Sequence, residues 1–523
     1  MERSFYINYT TDLHGYVFPT DYLDQSVKEQ GLARLCGGFI KNGNALTIDG
    51  GDVLQGSPFT TMLHKLRPDS TAMADSMNRA GYDYVTPGNH DFNYGLEHLK
   101  SYLTHLHARC LCCNLRDKKG ELPIEPYHIH VLENGLRIGL IGAVTHFILQ
   151  WEKKETVDQL LIENPYDAVR RLLPVVRAQC DVLVVFYHGG FEKDVETGKS
   201  VSQTDENQGW LLAGLPGVDI LLTGHQHQRI ANQTVQGTPV VQAGCNALCF
   251  ADVRARVDDQ GAIKVSSRLV PAAFAPDDAM LKALKKEEDA VQRALDEPLS
   301  ELDTAIPDVP PLERALTGSL AANFINQVQK EVSGAPVSAC AIAPEHLSMP
   351  RRLTVREVLA AYPFANTLFV LSMTGEMLRR YVETTLTYFE VIAPGAAPPK
   401  DSPVYPMANG GLIAVSEPFL KPKIAHYNYD FFSGLDYVFD VRRPPMHRLA
   451  SFKKDGQEIV DEQTYTVCLN SYRAAGSGGY DFLRGAKVLR EIQRDVATLM
   501  MEYLSERPRA DVDQTRYLRA VLP

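Results

Sequence analysis

No stretch of about twenty apolar residues occurs anywhere in this 523-residue chain, so no membrane-spanning helix is expected. The opening residues, Met1 to Thr10, hold no apolar leader core. As it stands the sequence is expected to be cytoplasmic, and removal of a leader would make it secreted or cell-surface. An excess of basic charge is also missing. Lys and Arg number 53 against 64 Asp and Glu, a formal net charge of −11. That balance argues against general nucleic-acid or membrane-surface binding, yet leaves room for a small anion held by local cations. Nine cysteines, an odd number, with Cys110, Cys112 and Cys113 crowded together, form neither a disulfide framework nor a thiolate zinc spacing. A reducing compartment fits them best. Low-complexity tracts are absent as well. The chain is an ordinary globular sequence, too long for one core, and two or three domains are expected.

What is present, along residues 1–270, is a recurring arrangement. An apolar run is followed by residues that can hold a metal. Phe5-Tyr6-Ile7-Asn8-Tyr9 leads to Asp12-Leu13-His14-Gly15, and Ala45-Leu46-Thr47-Ile48 leads to Gly51-Asp52. Tyr82 to Val85 leads to Asn89-His90-Asp91, Val182 to Tyr187 to His188, and Ile220 to Thr223 to His225 and His227. Helical stretches such as 164–178 lie between them. Apolar strands separated by helices point to a layered α/β domain with its ligands on loops beyond strand ends. Each piece taken alone has an ordinary reading. Asp52 after two glycines makes an Asx turn or a helix cap, and His188 is a satisfied core histidine. Five such clusters in one domain are not explained by turn chemistry. His225 and His227, like Asp12 and His14, are alternate residues that face one way in extended chain.

Aspartate oxygen, imidazole nitrogen and an amide oxygen, without thiolate, suit divalent Mn, Zn, Co, Fe or Mg. Asp12, His14, Asp52, Asn89, His188, His225 and His227 are too many for one tetrahedral ion. They are enough for two ions sharing a carboxylate, and Asp52 on its sharp turn is the candidate bridge. Two ions about 3.5–4 Å apart clamp the attacking and leaving oxygens in phosphoryl transfer.

In this order, "DLHG", "GGDVLQGSP", "GNHDFNYG", "HGG" and "GHQHQ" resemble the calcineurin-like metallophosphoesterases, specifically the 5′-nucleotidase family. The resemblance implies an N-terminal four-layer α/β/β/α catalytic domain over 1–272. It also implies a linker helix within 273–302 and a C-terminal α+β substrate-binding domain over 303–523. It assigns Asp12, His14, Asp52 and His227 to one ion and Asp52, Asn89, His188 and His225 to the other. His90, paired with Asp91, becomes the catalytic histidine, and the nucleophile is a water that the ions acidify.

The linker reading rests on residues 277–296, where Met280, Leu284, Val291 and Leu295 share one side of a helix between Pro276 and Pro298. A peripheral helix of the first domain fits the same pattern. In the second half, Tyr427, Tyr429, Phe431, Phe432 and Tyr437 form one aromatic cluster, and Tyr472 and Tyr480 another. Aromatics in β-rich sequence are mostly core, but a tyrosine beside a glycine-rich turn lies at the surface. The family resemblance implies an aromatic pair around a nucleobase, with Tyr472 as one face and Tyr429, or else Tyr427, as the other. Such stacking contributes about 1–3 kcal/mol per base. One departure stands out. Family members that act on 5′-nucleotides carry an Asn-x-Gly-x-x-Arg-like segment before the "PF.N" stretch, whose arginines grip the phosphate. Here that region reads "SACAIAPEHLSMPRRLTVREV", leaving Arg351, Arg352 and Arg356 as the candidates, with a solvated basic face as the alternative. "YNYDFFSGLDYVFDV", "NSYRAAGSGG" and "DYLDQSVKEQGLARL" resemble instead the subgroup acting on 2′,3′-cyclic nucleotides and 3′-nucleotides.

The expectation is therefore a dinuclear hydrolase for small nucleotides, with no nucleic-acid or membrane partner. A 5′-nucleotidase or a hydrolase for another nucleotide or sugar-phosphate ester is the alternative. A binding module that kept the fold and lost the chemistry is disfavoured by the complete ligand set.

Overall fold

Strand Arg3–Thr10 is buried continuously from Ile7 onward, as a strand covered on both faces must be. It pairs in parallel with Ala45–Asp49, Tyr 6 facing Ala45 and Thr10 facing Asp49. Tyr84–Val85, Arg109–Leu111 and Ile124–Glu125 continue that sheet, while Cys249–Val257 and Ile263–Pro271 close its other side as antiparallel strands. A second, six-stranded sheet has Arg137–Val144, Val182–His188, Ile220–Thr223 and Thr238–Ala243 as parallel strands. The computed structural model describes residues 2–200, 204–342, 348–364, 366–392 and 419–522.

The two sheets pack face to face. Phe5, Ile7, Tyr9, Leu46 and Ile48 of the first meet Leu140, Val184, Phe186, Leu222 and Val241 of the second in one dry core. On the far side of the second sheet, helix Pro165–Arg177 lays Ala168, Val169, Leu173 and Val176 against Ile141, Leu183 and Val185. That spacing is the apolar stripe of a surface helix. Asn164 caps the helix, accepting from the Asp167 N–H at 3.2 Å, with Pro165 in the first turn.

Residues 277–296 form two helices, Asp278–Ala283 and Lys285–Leu295, broken at Leu284. Met280, Leu284, Val291 and Leu295 are all buried, as their spacing requires. Lys285–Leu295 packs on helix Pro58–Leu66, and the neighbouring Arg67 pairs with Glu287 at 3.1 Å. The segment is thus built into the first of two units, Met1–Leu295 and Asp296–Pro523.

The second unit is α+β. Its five-stranded sheet runs Asp430–Ser433, Val337–Ala341, Thr464–Asn470, Thr367–Thr374, Lys487–Asp495 in spatial order. Helix Leu320–Ser333 packs on this sheet, capped by Ser319 and ended by left-handed Gly334. Smaller three- and four-stranded sheets flank it in sequence. All nine cysteines are unpaired, and eight of them are buried. Among the described residues no helix is long and apolar enough to cross a membrane.

Candidate metal centre

Parallel strands leave their ligand loops at one edge of a sheet, beyond the carboxyl ends. Asp12 follows Arg3–Thr10, Asp52 follows Ala45–Asp49 and Asn89 follows Tyr84–Val85 in the first sheet. His188 ends Val182–His188, and His225 and His227 follow Ile220–Thr223 in the second. The loops interlock through backbone contacts that only glycine permits. A Cβ on Gly51, whose φ is +96°, would lie 2.4 Å from the Gly88 nitrogen, and one on Gly88 would lie 2.2 Å from Asp52 Oδ1.

Two clusters result. Asp12, His14 and His227 form one and Asp52, His188 and His225 the other, each with ligand atoms within 4.8 Å of one another. Asn89 joins the second, its Oδ1 lying 3.1 Å from His188 Nε2. The ring nitrogens that face away from the clusters are anchored. His14 Nδ1 donates to the Gln55 carbonyl at 2.8 Å and His188 Nδ1 to the Gly50 carbonyl at 2.7 Å. In the neutral rings that a metal takes as ligands, both Nε2 atoms would then point their lone pairs inward. His14 Nε2 then lies 3.0 Å from His227 Nε2, and His188 Nε2 lies 3.2 Å from Asp52 Oδ2. Asp52 Oδ2 is buried with no hydrogen-bond partner, whereas its Oδ1 accepts from the His90 N–H at 2.7 Å. Imidazole nitrogens and carboxylate oxygens converging in two buried groups, one of them around an Asp52 oxygen with no hydrogen bond, are a donor set that divalent cations take.

The backbone supports the same reading. Asp12, His14, Asp52, His225 and His227 all have φ between 49° and 69°, the left-handed region that is uncommon outside glycine, although Asp and His enter it more readily than most residues. Such strain gathers where a site over-determines its residues. Electrostatics follow the geometry. Burial would raise the Asp52 carboxyl, but the facing His188 and His90 hold it well below the usual carboxylate range. Burial would lower His188, yet Asp52 pushes it up to about 9. His14, lacking so close a carboxylate, is driven down to about 4 by burial and by His227. The residues of the two groups fit a pair of divalent ions.

The family profiles agree with this geometry. Calcineurin-like phosphoesterase matches residues 6–229, and 5′-nucleotidase, C-terminal domain, matches residues 306–485. A Staphylococcus aureus protein solved as a candidate 5′-nucleotidase, in complex with alpha-ketoglutarate, is 31% identical with TM-score 0.83, covering 100% of each chain. The chain belongs to the 5′-nucleotidase family of calcineurin-like phosphoesterases. The 2′,3′-cyclic-nucleotide 2′-phosphodiesterase/3′-nucleotidase of Haemophilus influenzae is 23% identical over 90% of this chain and 79% of its own length. The trifunctional nucleotide phosphoesterase protein of Bacillus subtilis is 23% identical over 96% of this chain, which spans only 38% of that protein. Members of the family are phosphoester hydrolases with a dinuclear metal centre, and this chain is a metal-dependent hydrolase.

Three expectations need correction. Asp91 does not pair with His90. Its carboxylate accepts from the N–H groups of Asp52, Val53, Leu54 and Gly88, at 2.7 to 3.0 Å, and ties the Asp52 and Asn89 loops together. Burial and the Asp52 charge push it up to about 6. His90 instead places Nδ1 2.8 Å from Asn93 Oδ1. The short helix Asn89–Phe92 turns residues three apart onto one side, a spacing visible in "NHDFN".

Tyr429 is not a stacking face. It is 2% exposed, its hydroxyl donates to the Ala315 carbonyl at 2.8 Å, and Tyr388, Phe389 and Phe431 pack around it. Tyr427 and Tyr472 are both half-buried. Arg473 joins them, its Nη2 donating to the Tyr427 carbonyl at 3.3 Å and its guanidinium lying 5.7 Å from the Tyr472 ring.

Two of the three arginines have carboxylate partners within the second unit. Arg356 is buried against Asp296, with Nη2 2.6 Å from Oδ1, and exposed Arg351 pairs with Glu301 at 3.2 Å. Exposed Arg352 lies on the neighbouring strand Arg352–Thr354, opposite Glu301. Residues 343–347 of that segment lie outside the described residues.

Two carboxylates escaped the sequence reading. Glu206 lies 2.9 Å from His225 Nε2, leaving Nδ1 of that ring for an ion. Glu152 accepts from Asn93. Both come from loops whose sequence carries no signal for the site.

Proposed function

We propose that this protein is a 2′,3′-cyclic-nucleotide 2′-phosphodiesterase and 3′-nucleotidase. Its metal sites would be Asp12, His14, Asp52 and His227 for one ion and Asp52, Asn89, His188 and His225 for the other. Two ions there supply Lewis-acid polarisation of the phosphoryl group and acidify an attacking water. The chain's own residues do the rest. Tyr427 and Tyr472 hold the base. His90 neutralises charge developing on the phosphoryl oxygens or gives a proton to the leaving oxygen. Water adds to phosphorus as the bond to the ribose 2′-oxygen breaks, leaving a 3′-monophosphate. A second hydrolysis breaks the 3′ ester and releases nucleoside and phosphate.

The observation that carries the substrate choice is the state of the three arginines. None belongs to an Asn-x-Gly-x-x-Arg segment, Arg356 is buried in an ion pair and Arg351 has a carboxylate partner. This supports a reading in which a 5′-phosphate is not their ligand. The relative from Haemophilus influenzae, named for the cyclic and 3′ activities, supports the same reading. 5′-Nucleotidase activity is the second reading, favoured by the description of the Staphylococcus aureus neighbour.

The test is phosphate release from metal-depleted protein refilled with Mn²⁺. The substrates are 2′,3′-cyclic AMP with added phosphatase, 3′-AMP and 5′-AMP. Preference for the first two is expected, and preference for 5′-AMP would overturn the assignment.

A further inference from the structure

Among the bonds described, the ring of His90 meets no carboxylate directly, although its backbone N–H donates to Asp52. Asn93 stands between that ring and Glu152, with Oδ1 2.8 Å from His90 Nδ1 and Nδ2 donating to Glu152 Oε1. An ionised carboxylate only accepts, so the amide nitrogen of Asn93 faces Glu152 and its oxygen faces the ring. An amide oxygen also only accepts. Nδ1 of His90 therefore carries the hydrogen, and Nε2 is left for the reaction.

Glu152 caps the C-terminus of the short helix Ile148–Trp151, whose N–H to Ile148 closes the turn at 3.0 Å. The preceding residue, Trp151, stacks on the His225 ring with centroids 5.4 Å apart and planes 26° apart. One turn of chain thus braces a ligand of the second cluster and, through Asn93, the ring of His90. A carboxylate beyond an amide also polarises it, making its oxygen a better acceptor when the imidazole gains positive charge. Burial pushes the Glu152 carboxyl up to about 7, so it is ionised under mildly alkaline assay conditions.

Building on the phosphohydrolase reading above, we propose that Glu152 is a positioning residue for His90, acting through Asn93. The carboxylate fixes the amide, the amide fixes the imidazole as its Nδ1–H tautomer, and the charge beyond the amide strengthens that hold during turnover.

The test pairs a spectroscopic with a kinetic readout on the full chain at pH 8. Ring-nitrogen NMR of the metal-free protein, with His90 assigned by its absence in His90→Ala, gives the tautomer. kcat and KM are measured with Mn²⁺ on p-nitrophenyl phosphate and 2′,3′-cyclic AMP, alongside bound Mn²⁺. The wild type is expected to show the Nδ1–H tautomer. Asn93→Ala and Glu152→Ala should lose it and lower kcat by about 10- to 100-fold, with KM and bound Mn²⁺ within twofold. Glu152→Gln, which keeps an acceptor but no charge and serves if Glu152→Ala misfolds, should keep the tautomer and lose several-fold in kcat. The exchange Asn93→Asp with Glu152→Gln should restore kcat. An Nε2–H tautomer in the wild type, unchanged kcat in Glu152→Gln, or an effect confined to KM or to bound metal would overturn the proposal. Turnover of neither substrate by the wild type would instead overturn the phosphohydrolase reading, while the tautomers of the variants would still decide whether Glu152 acts on His90.

Discussion

Arg473→Met should be the most disruptive single change in the second unit. The guanidinium and its partner Asp430 are both 1% exposed. Two bonds join them, Nε to Oδ2 at 2.6 Å and Nη2 to Oδ1 at 2.8 Å. The same side chain donates to the Ser477 carbonyl at 3.0 Å and lies 4.1 Å over the Tyr480 ring. Methionine would leave the Asp430 carboxylate buried with the Tyr381 hydroxyl, at 2.6 Å, as its one remaining side-chain donor among the bonds described. Removing one partner of a buried pair costs about 3–5 kcal/mol, because the stranded charge is not rehydrated. Removing both costs far less, so Arg473→Met with Asp430→Leu should regain at least about 2 kcal/mol. The chain's two tryptophans, Trp151 and Trp210, lie in the first unit. Urea unfolding followed by tryptophan fluorescence therefore reports that unit, and far-UV circular dichroism reports both. The early transition expected in Arg473→Met should appear by dichroism and not by fluorescence. KM for a nucleotide should rise more than kcat falls, since Arg473 joins the Tyr427 and Tyr472 loops. A loss under about 1 kcal/mol, or no recovery in the double variant, would refute the argument.

Asp52→Asn should bind fewer than two equivalents of Mn²⁺ by elemental analysis and lose about 10²–10³-fold in kcat, as expected when charge stabilisation at phosphorus is impaired. His90→Ala should lose turnover while keeping both ions, and equal loss of metal would make that residue structural. Tyr472→Ala and Tyr427→Ala should each weaken nucleotide binding by about 1–3 kcal/mol without changing turnover of p-nitrophenyl phosphate, whereas Tyr429→Ala should lower the melting temperature. In the metal-free protein the facing Asp52 pushes the folded His188 up to about 9 from its ordinary 6.5. Its stabilising contribution, up to about 3 kcal/mol, is full below pH 6.5 and lost as pH rises to 9. The apo melting temperature should fall across that window.

The ligand set was legible because each ligand follows an apolar strand, and strand order alone sends parallel carboxyl ends to one edge. What carboxylates do once there was not legible. Asp91 sits next to His90 in sequence, yet four backbone N–H groups from two loops claim it. Tyr427 and Tyr429 differ by two residues, and only the turn His426–Asn428 ahead of strand Asp430–Ser433 decides which is buried. Glu152 and Glu206 reach the site through tertiary contacts that no local spacing encodes. The helix expected over 277–296 was right in its buried positions and missed the break at Leu284.

Five of the seven ligands hold left-handed backbone, and each such residue costs of order 1–3 kcal/mol. Together that approaches the whole margin by which a domain stays folded. Ions bound there would act as folding ligands as well as supplying chemistry. A descendant that abandoned catalysis would be free to drift to glycine or asparagine at positions 12, 14, 52, 225 and 227, gaining stability at each step.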